Sequence, residues 1–149
     1  MTRFVLDASV ALAWVVDRNP DPYAALVRQK VRAGERALVP VLWQLEIANV
    51  LALVHRKGVL SADEVEEALG YFEGFLTTQA EIVSTLPSMR EILHLARELE
   101  LTSYDALYVD LARREGIPLA TLDKRLRAAA AKARRKGLRD EVESSRIIT

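Results

Sequence analysis

Short apolar runs alternate along this chain with longer segments whose apolar residues recur every three or four positions. Arg3–Leu6 is apolar and is stopped by Asp7, the pattern of a buried strand. Ala8–Val16 has helical composition, and Asn19-Pro20-Asp21-Pro22 breaks the chain after it. Tyr23–Ala33 reads as an amphipathic helix closed by Gly34. Ala37-Leu38-Val39 is a short strand before Pro40. Val41–Arg56 is the most apolar helix, with Leu42, Leu45, Ala48, Leu51 and Ala52 expected on one inward side, and Gly58 ends it. Ser61 and Glu64 form a capping box for a helix reaching about Thr77. Ala80–Thr85 reads as a strand, Pro87–Glu100 as a helix with Pro87 near its first position, and Thr102–Glu115 as another closed by Gly116. Ile117–Thr121 is a strand, a basic helix follows Asp123, and Ser145–Ile148 is a candidate last strand.

Short buried strands between longer helices predict an α/β fold, a three-layer sandwich around a four- to five-stranded, mainly parallel sheet. The 149 residues suit one domain, 1–149. No apolar run approaches the roughly 20 residues that span a bilayer, and Met1–Asp7 is too short and too soon acidic for a signal peptide, so the cytoplasm is the expected compartment.

Composition narrows the chemistry. The chain has no cysteine, which excludes disulfides, thiolate zinc sites and Cys nucleophiles. It has two histidines, His55 and His94, both in predicted helices with no nucleophile motif beside them. A metal here must be held by carboxylates, which suits hard cations. Lys plus Arg and Asp plus Glu are 21 each, so net charge points to no partner and only charge distribution can.

Four acids stand out. Asp7 and Asp123 each end an apolar strand and precede a helix, where an N-cap and a site acid at the carboxyl end of a sheet are both open readings. Asp105 lies three residues after Thr102, in the geometry of a helix cap. Glu46 sits inside Trp43–Leu51, in the most apolar helix, with no Lys or Arg within four residues. Burying such a carboxylate unpaired costs several kcal/mol. Asn49, one turn on, can orient it. Carboxylates converging at one end of a sheet repel each other unless a divalent cation compensates them.

The motifs Phe4-Val5-Leu6-Asp7-Ala8-Ser9, Glu46-Ile47-Ala48-Asn49-Val50-Leu51, Ser103-Tyr104-Asp105-Ala106-Leu107-Tyr108 and Leu119-Ala120-Thr121-Leu122-Asp123-Lys124 occur in this order over nearly the whole chain. In this the sequence resembles PIN-domain proteins, and more closely the VapC-type toxin ribonucleases of toxin–antitoxin systems. The resemblance implies a parallel sheet flanked by helices and an endoribonuclease dependent on Mg²⁺ or Mn²⁺. It carries over Asp7, Glu46, Asp105 and Asp123 as the metal-binding and catalytic acids, with Ser9 and Thr121 as the accompanying hydroxyls. It also implies an RNA substrate, a homodimer and a cognate antitoxin.

The dense basic stretch after Asp123 includes Lys124, Arg125, Arg134, Arg135 and Lys136, and is expected to grip the RNA backbone. Trp14, Trp43, Tyr71, Phe72 and Phe75 look like more aromatic surface than one small core needs, a second ground for a homodimer. A receiver-type signalling domain needs a second acid beside Asp7, where Ala8-Ser9 stands. A haloacid-dehalogenase-type phosphatase needs Asp at position 9, and an NTPase needs a Gly-rich loop that is absent. A non-catalytic PIN-like module that binds RNA or protein and a receiver-type signalling domain are the two alternatives that stay open.

Overall fold

The computed structural model describes the backbone of residues 2–147 and the side chains of residues 2–136. In chain order the elements are β1 (Arg3–Leu6), α1 (Ala8–Val16), α2 (Pro22–Arg32), β2 (Arg36–Pro40), α3 (Leu42–Arg56), α4 (Ala62–Thr78), β3 (Ala80–Val83), α5 (Met89–Leu99), α6 (Ser103–Glu115), β4 (Leu119–Ala120) and α7 (Lys124–Ile147). The strands form one sheet in the order β3-β2-β1-β4, and every pairing is parallel. Helices cover both faces, giving a three-layer α/β fold. The chain builds outward from β1 through β2 to β3, then returns to add β4 on the other side of β1. The point where the strand order reverses therefore lies between β1 and β4, which is where α/β sheets open a crevice at their carboxyl ends.

Strand β1 is almost wholly buried, as its unbroken apolar run requires between two helical layers. On one side α6 packs on β1, β2 and β4, with α5 and α7 against it. On the other, an aromatic cluster ties α1, α3 and α4 together. The Trp43 ring meets Phe72 edge-on at 5.7 Å and stacks with Phe75 at 6.0 Å, and Trp14 meets Phe75 edge-on at 5.7 Å.

Several elements differ from the sequence pattern in instructive ways. The buried stripe of α3 is Trp43, Ile47 and Leu51, at i, i+4 and i+8, whereas Leu45, Ala48 and Ala52 face outward and Leu45 is 66% exposed. Trp43 claims the inward face and takes Ile47 and Leu51 with it at the helical period, which turns Leu45, Ala48 and Ala52 outward. Helix α5 begins at Met89 rather than Pro87, because Ser88 and Glu91 form a second capping box one residue further on. Strand β4 shrinks to two residues and β3 ends at Val83. The expected strand at Ser145–Ile148 is not formed. Helix α7 continues through Ile147, extending the strongly helix-forming Ala-rich segment, and Ile148 lies outside the described residues. The aromatic surplus also disappears. Trp14, Trp43, Phe72 and Phe75 are buried and Tyr71 packs against the same core, so one core consumes all five.

Candidate active site

Each of the four acids reaches the carboxyl edge of the sheet by a different route. Asp7 directly follows β1, and its backbone N–H donates to the Ala120 carbonyl of β4 at 3.0 Å. It occupies the N-cap position of α1 without capping it. Its carboxylate Oδ2 instead accepts the Ser9 hydroxyl at 2.8 Å and the buried Thr121 hydroxyl at 2.7 Å. Those hydroxyls also order the β4 end, since Ser9 Oγ accepts the Leu122 N–H and Thr121 Oγ1 accepts the Asp123 N–H. Asp7 and Asp123 are thus coupled through Thr121 across the two strands that flank the reversal point.

Asp123 does cap α7, its Oδ1 accepting the Arg125 and Leu126 N–H groups at 2.9 and 3.3 Å. Asp105 lies in the first turn of α6, where Thr102 supplies the cap through the Asp105 backbone N–H. The Asp105 carboxylate faces the Thr102 hydroxyl, whose hydrogen bond favours its ionised form. Glu46, half-buried on α3, accepts the Tyr108 hydroxyl on Oε1 at 2.7 Å. Among the described residues, Asp7, Glu46 and Asp123 therefore each spend one oxygen on a positioning contact and leave the other without a hydrogen bond.

The electrostatics show that these groups feel one another. Burial pushes the Glu46 carboxyl above the ordinary range, the Tyr108 hydrogen bond opposes this, and the charges of Asp7 and Asp105 add to the rise. Burial likewise raises Asp105, with Asp7 and Asp123 adding repulsion and Thr102 and Arg125 opposing. Among the described residues no three His, Asp or Glu side chains stand close enough together to form a metal-holding group. A donor set of carboxylate oxygens still fits a hard cation. Mg²⁺ commonly takes one or two carboxylates directly and keeps water in its other positions.

Two of the acids, Asp105 and Asp123, open onto a cleft of about 310 Å³ lined also by Glu100, Leu101, Thr102 and Arg125. Glu100 has a left-handed backbone, φ 55°, that an L side chain rarely adopts, and its carbonyl accepts Arg125 Nη2 at 3.0 Å. Strain of this kind concentrates at functional sites.

Comparison with known proteins decides the family. The sequence profile of the PIN domain matches residues 4–132. This chain belongs to the PIN-domain family. It is 30% identical over 124 residues to Ribonuclease VapC3 of Pyrobaculum aerophilum, covering 83% of this chain and 92% of the relative. It is 31% identical over 130 residues to Ribonuclease VapC3 of Mycobacterium tuberculosis, covering 85% and 87%. Ribonuclease VapC9 of the same species is 33% identical over 122 residues, covering 82% and 87%. The crystal structure of PAE2754 from Pyrobaculum aerophilum shares the fold with a TM-score of 0.60 at 22% identity, over 86% of this chain and 84% of that one.

Within this PIN domain the supporting residues sort by contact. Ser9 and Thr121 hold Asp7 as described. Asn49 is exposed and, among the described residues, makes no hydrogen bond to Glu46. Tyr108 takes that orienting role from α6, 62 residues further along the chain. Its one advance sign was a hydroxyl-bearing aromatic at i+3 from Asp105. Tyr108 is fully buried, and burial together with the Glu46 contact pushes its hydroxyl far up, so it remains a donor. The basic stretch divides. Lys124 is exposed at the start of α7 and Arg125 lines the acidic cleft. Lys136 pairs with Glu98 of α5. Arg134 and Arg135 line a separate groove.

A Tyr108→Phe protein is expected to shift the acid limb of the kcat/KM profile to higher pH. The hydroxyl favours the ionised form of Glu46, so without it Glu46 ionises only at higher pH. Loss of a positioning hydrogen bond of this type costs roughly 10- to 100-fold in metal affinity or activity. An unchanged acid limb in RNA-cleavage kinetics would remove Tyr108 from the site.

Proposed function

We propose that this protein is a metal-dependent endoribonuclease that hydrolyses RNA phosphodiester bonds, the toxin of a toxin–antitoxin pair acting in the cytoplasm. The carrying observation is the division of labour among the carboxylates. Among the described residues Asp7, Glu46 and Asp123 each use one oxygen for positioning and keep one unengaged, and Asp105, beside Thr102, lines the cleft. Purely structural acids would use their oxygens for caps and pairs. The relatives named Ribonuclease VapC support the substrate class, and the VapC name supports an antitoxin partner.

Asp7, Glu46, Asp105 and Asp123 would hold Mg²⁺ or Mn²⁺. Such a cation supplies charge that offsets the crowded carboxylates and the scissile phosphate, and it lowers the pKa of water. The chain's own groups do the rest. Ser9, Thr121 and Tyr108 keep the carboxylates in fixed rotamers. Half-buried Glu46 and Asp105 keep the carboxyl edge of the sheet strongly negative once ionised. Lys124 and Arg125, beside Asp123, supply the cations that hold an RNA phosphate next to the acids.

With a fluorescent mixed RNA pool, cleavage is expected with Mg²⁺ or Mn²⁺ and its abolition with a chelator, restored by excess cation. Equal cleavage in chelator would overturn the metal, and no cleavage under any cation would favour a non-catalytic binding module. A homodimer is also part of this reading. Its apolar face is offered by Leu86, Met89 and Leu93, which are 61%, 86% and 55% exposed around α5. A monomer in sedimentation at micromolar concentration would remove it.

A further inference from the structure

On the flank of the sheet away from the acidic cleft, α7 and the end of α6 enclose a groove of about 620 Å³, twice the size of that cleft. Thirteen residues line it, four of them arginines, with no acid and no aromatic ring among them. The arginines are Arg113, Arg127, Arg134 and Arg135, over an aliphatic floor that includes Val109 and Leu119. Such a concentration of like charge is unfavourable unless something anionic answers it.

Among the described residues internal compensation is slight. Arg113 reaches Asp110 at only 3.9 Å, and Asp110 is already held by Arg114 at 2.8 Å. Arg127 donates to the Thr121 carbonyl at 2.7 Å and lies 4.4 Å over the Tyr23 ring, contacts that fix the guanidinium without neutralising it. Arg134 and Arg135 are exposed and make no ion pair with any described residue. The same groove is continuous with the active edge. Arg127 grips the backbone of Thr121, whose hydroxyl holds Asp7. Helix α7 runs from its Asp123 cap away from the acids, so Arg135 lies about 17 Å along the helix axis from Lys124.

We infer that this groove is a second RNA-contacting site, which binds the phosphates of the strand that continues beyond the bond held at the acidic edge. The inference rests on the ribonuclease reading above and extends its footprint. The absence of aromatic rings leaves no stacking platform for bases, so the contact is with phosphates and indifferent to sequence. At 3.4 Å per stacked nucleotide, 17 Å is about five nucleotides. A tetranucleotide engaged at the acids does not reach Arg134 and Arg135, and a 20-mer does.

The test is fluorescence anisotropy of 5′-labelled single-stranded RNAs of about 4 and about 20 nucleotides in chelator, so that no cleavage is needed. The wild type is expected to bind the longer strand at least about tenfold tighter, and an Arg134→Ala/Arg135→Ala protein to lose that advantage. The salt slope for the long strand should flatten by about 1.4, two contacts at roughly 0.7 each on single strands. Arg134→Lys/Arg135→Lys should keep most of the advantage. Alanine suits an exposed helical position, so the double variant should fold, and its melting curve checks this. No length advantage in the wild type, or one that survives the double alanine variant, would overturn the inference. Displacement of the long RNA by polyglutamate more readily than by unlabelled RNA would do so too, and would assign the groove to an acidic protein partner. Cleavage of the short strand, measured separately with cation present, tests the ribonuclease reading independently.

Discussion

An Asp7→Asn protein is expected to melt near the wild type and to lose RNA cleavage by more than about 100-fold, beyond the cost of removing a mere positioning partner. The substitution keeps the size of the side chain. Its amide oxygen can take the Oδ2 position, where the Ser9 and Thr121 hydroxyls donate. Its NH₂ then replaces the oxygen that no hydrogen bond engages, and a hydrogen-bond donor without charge cannot bind a cation there. Cleavage of a labelled RNA and a thermal melt measured together separate the outcomes. Retained cleavage would take Asp7 out of the mechanism. If the variant proves unstable because Asp7 is buried, Asp105→Asn carries the same test from a half-buried position in the first turn of α6.

The largest stability effect belongs to Trp43. Its side chain is 1% exposed and sits between Phe72 and Phe75. Trp43→Ala is expected to cost about 3–5 kcal/mol, from lost contacts and the cavity left behind. For a domain of this size that is a fall of about 6–20 °C in Tm. Trp43→Phe should cost much less. The indole Nε1 is buried without a hydrogen-bond partner, so phenylalanine removes an unsatisfied donor while keeping most of the ring contacts. Thermal denaturation followed by circular dichroism checks both. Equal losses for Ala and Phe would mean that the shape of the indole, rather than buried area, holds α3 to α4.

The sequence by itself determined a good deal here. Period and caps are local signals, and they set nearly every helix and strand, including the Ser61–Glu64 capping box. Glu46 was legible because a carboxylate without a nearby cation is costly inside an apolar helix. The four motifs in order carried the family resemblance. The tertiary structure decided what depends on which distant segments become neighbours. The β3-β2-β1-β4 order alone makes β1 and β4 adjacent, and so joins Asp7 to Asp123 through Thr121. No local pattern encodes strand order, because it is chosen by the burial of whole faces. Tyr108 finds Glu46 only because α6 packs over β1 and β2, beside the helix that follows β2. The inward stripe of α3 went to Trp43, Ile47 and Leu51 because Phe72 and Phe75 of α4 pack on the Trp43 ring, a choice that periodicity leaves open. The basic stretch looked like one feature along the chain. It became three in space, since successive positions on a helix point in different directions and meet different partners.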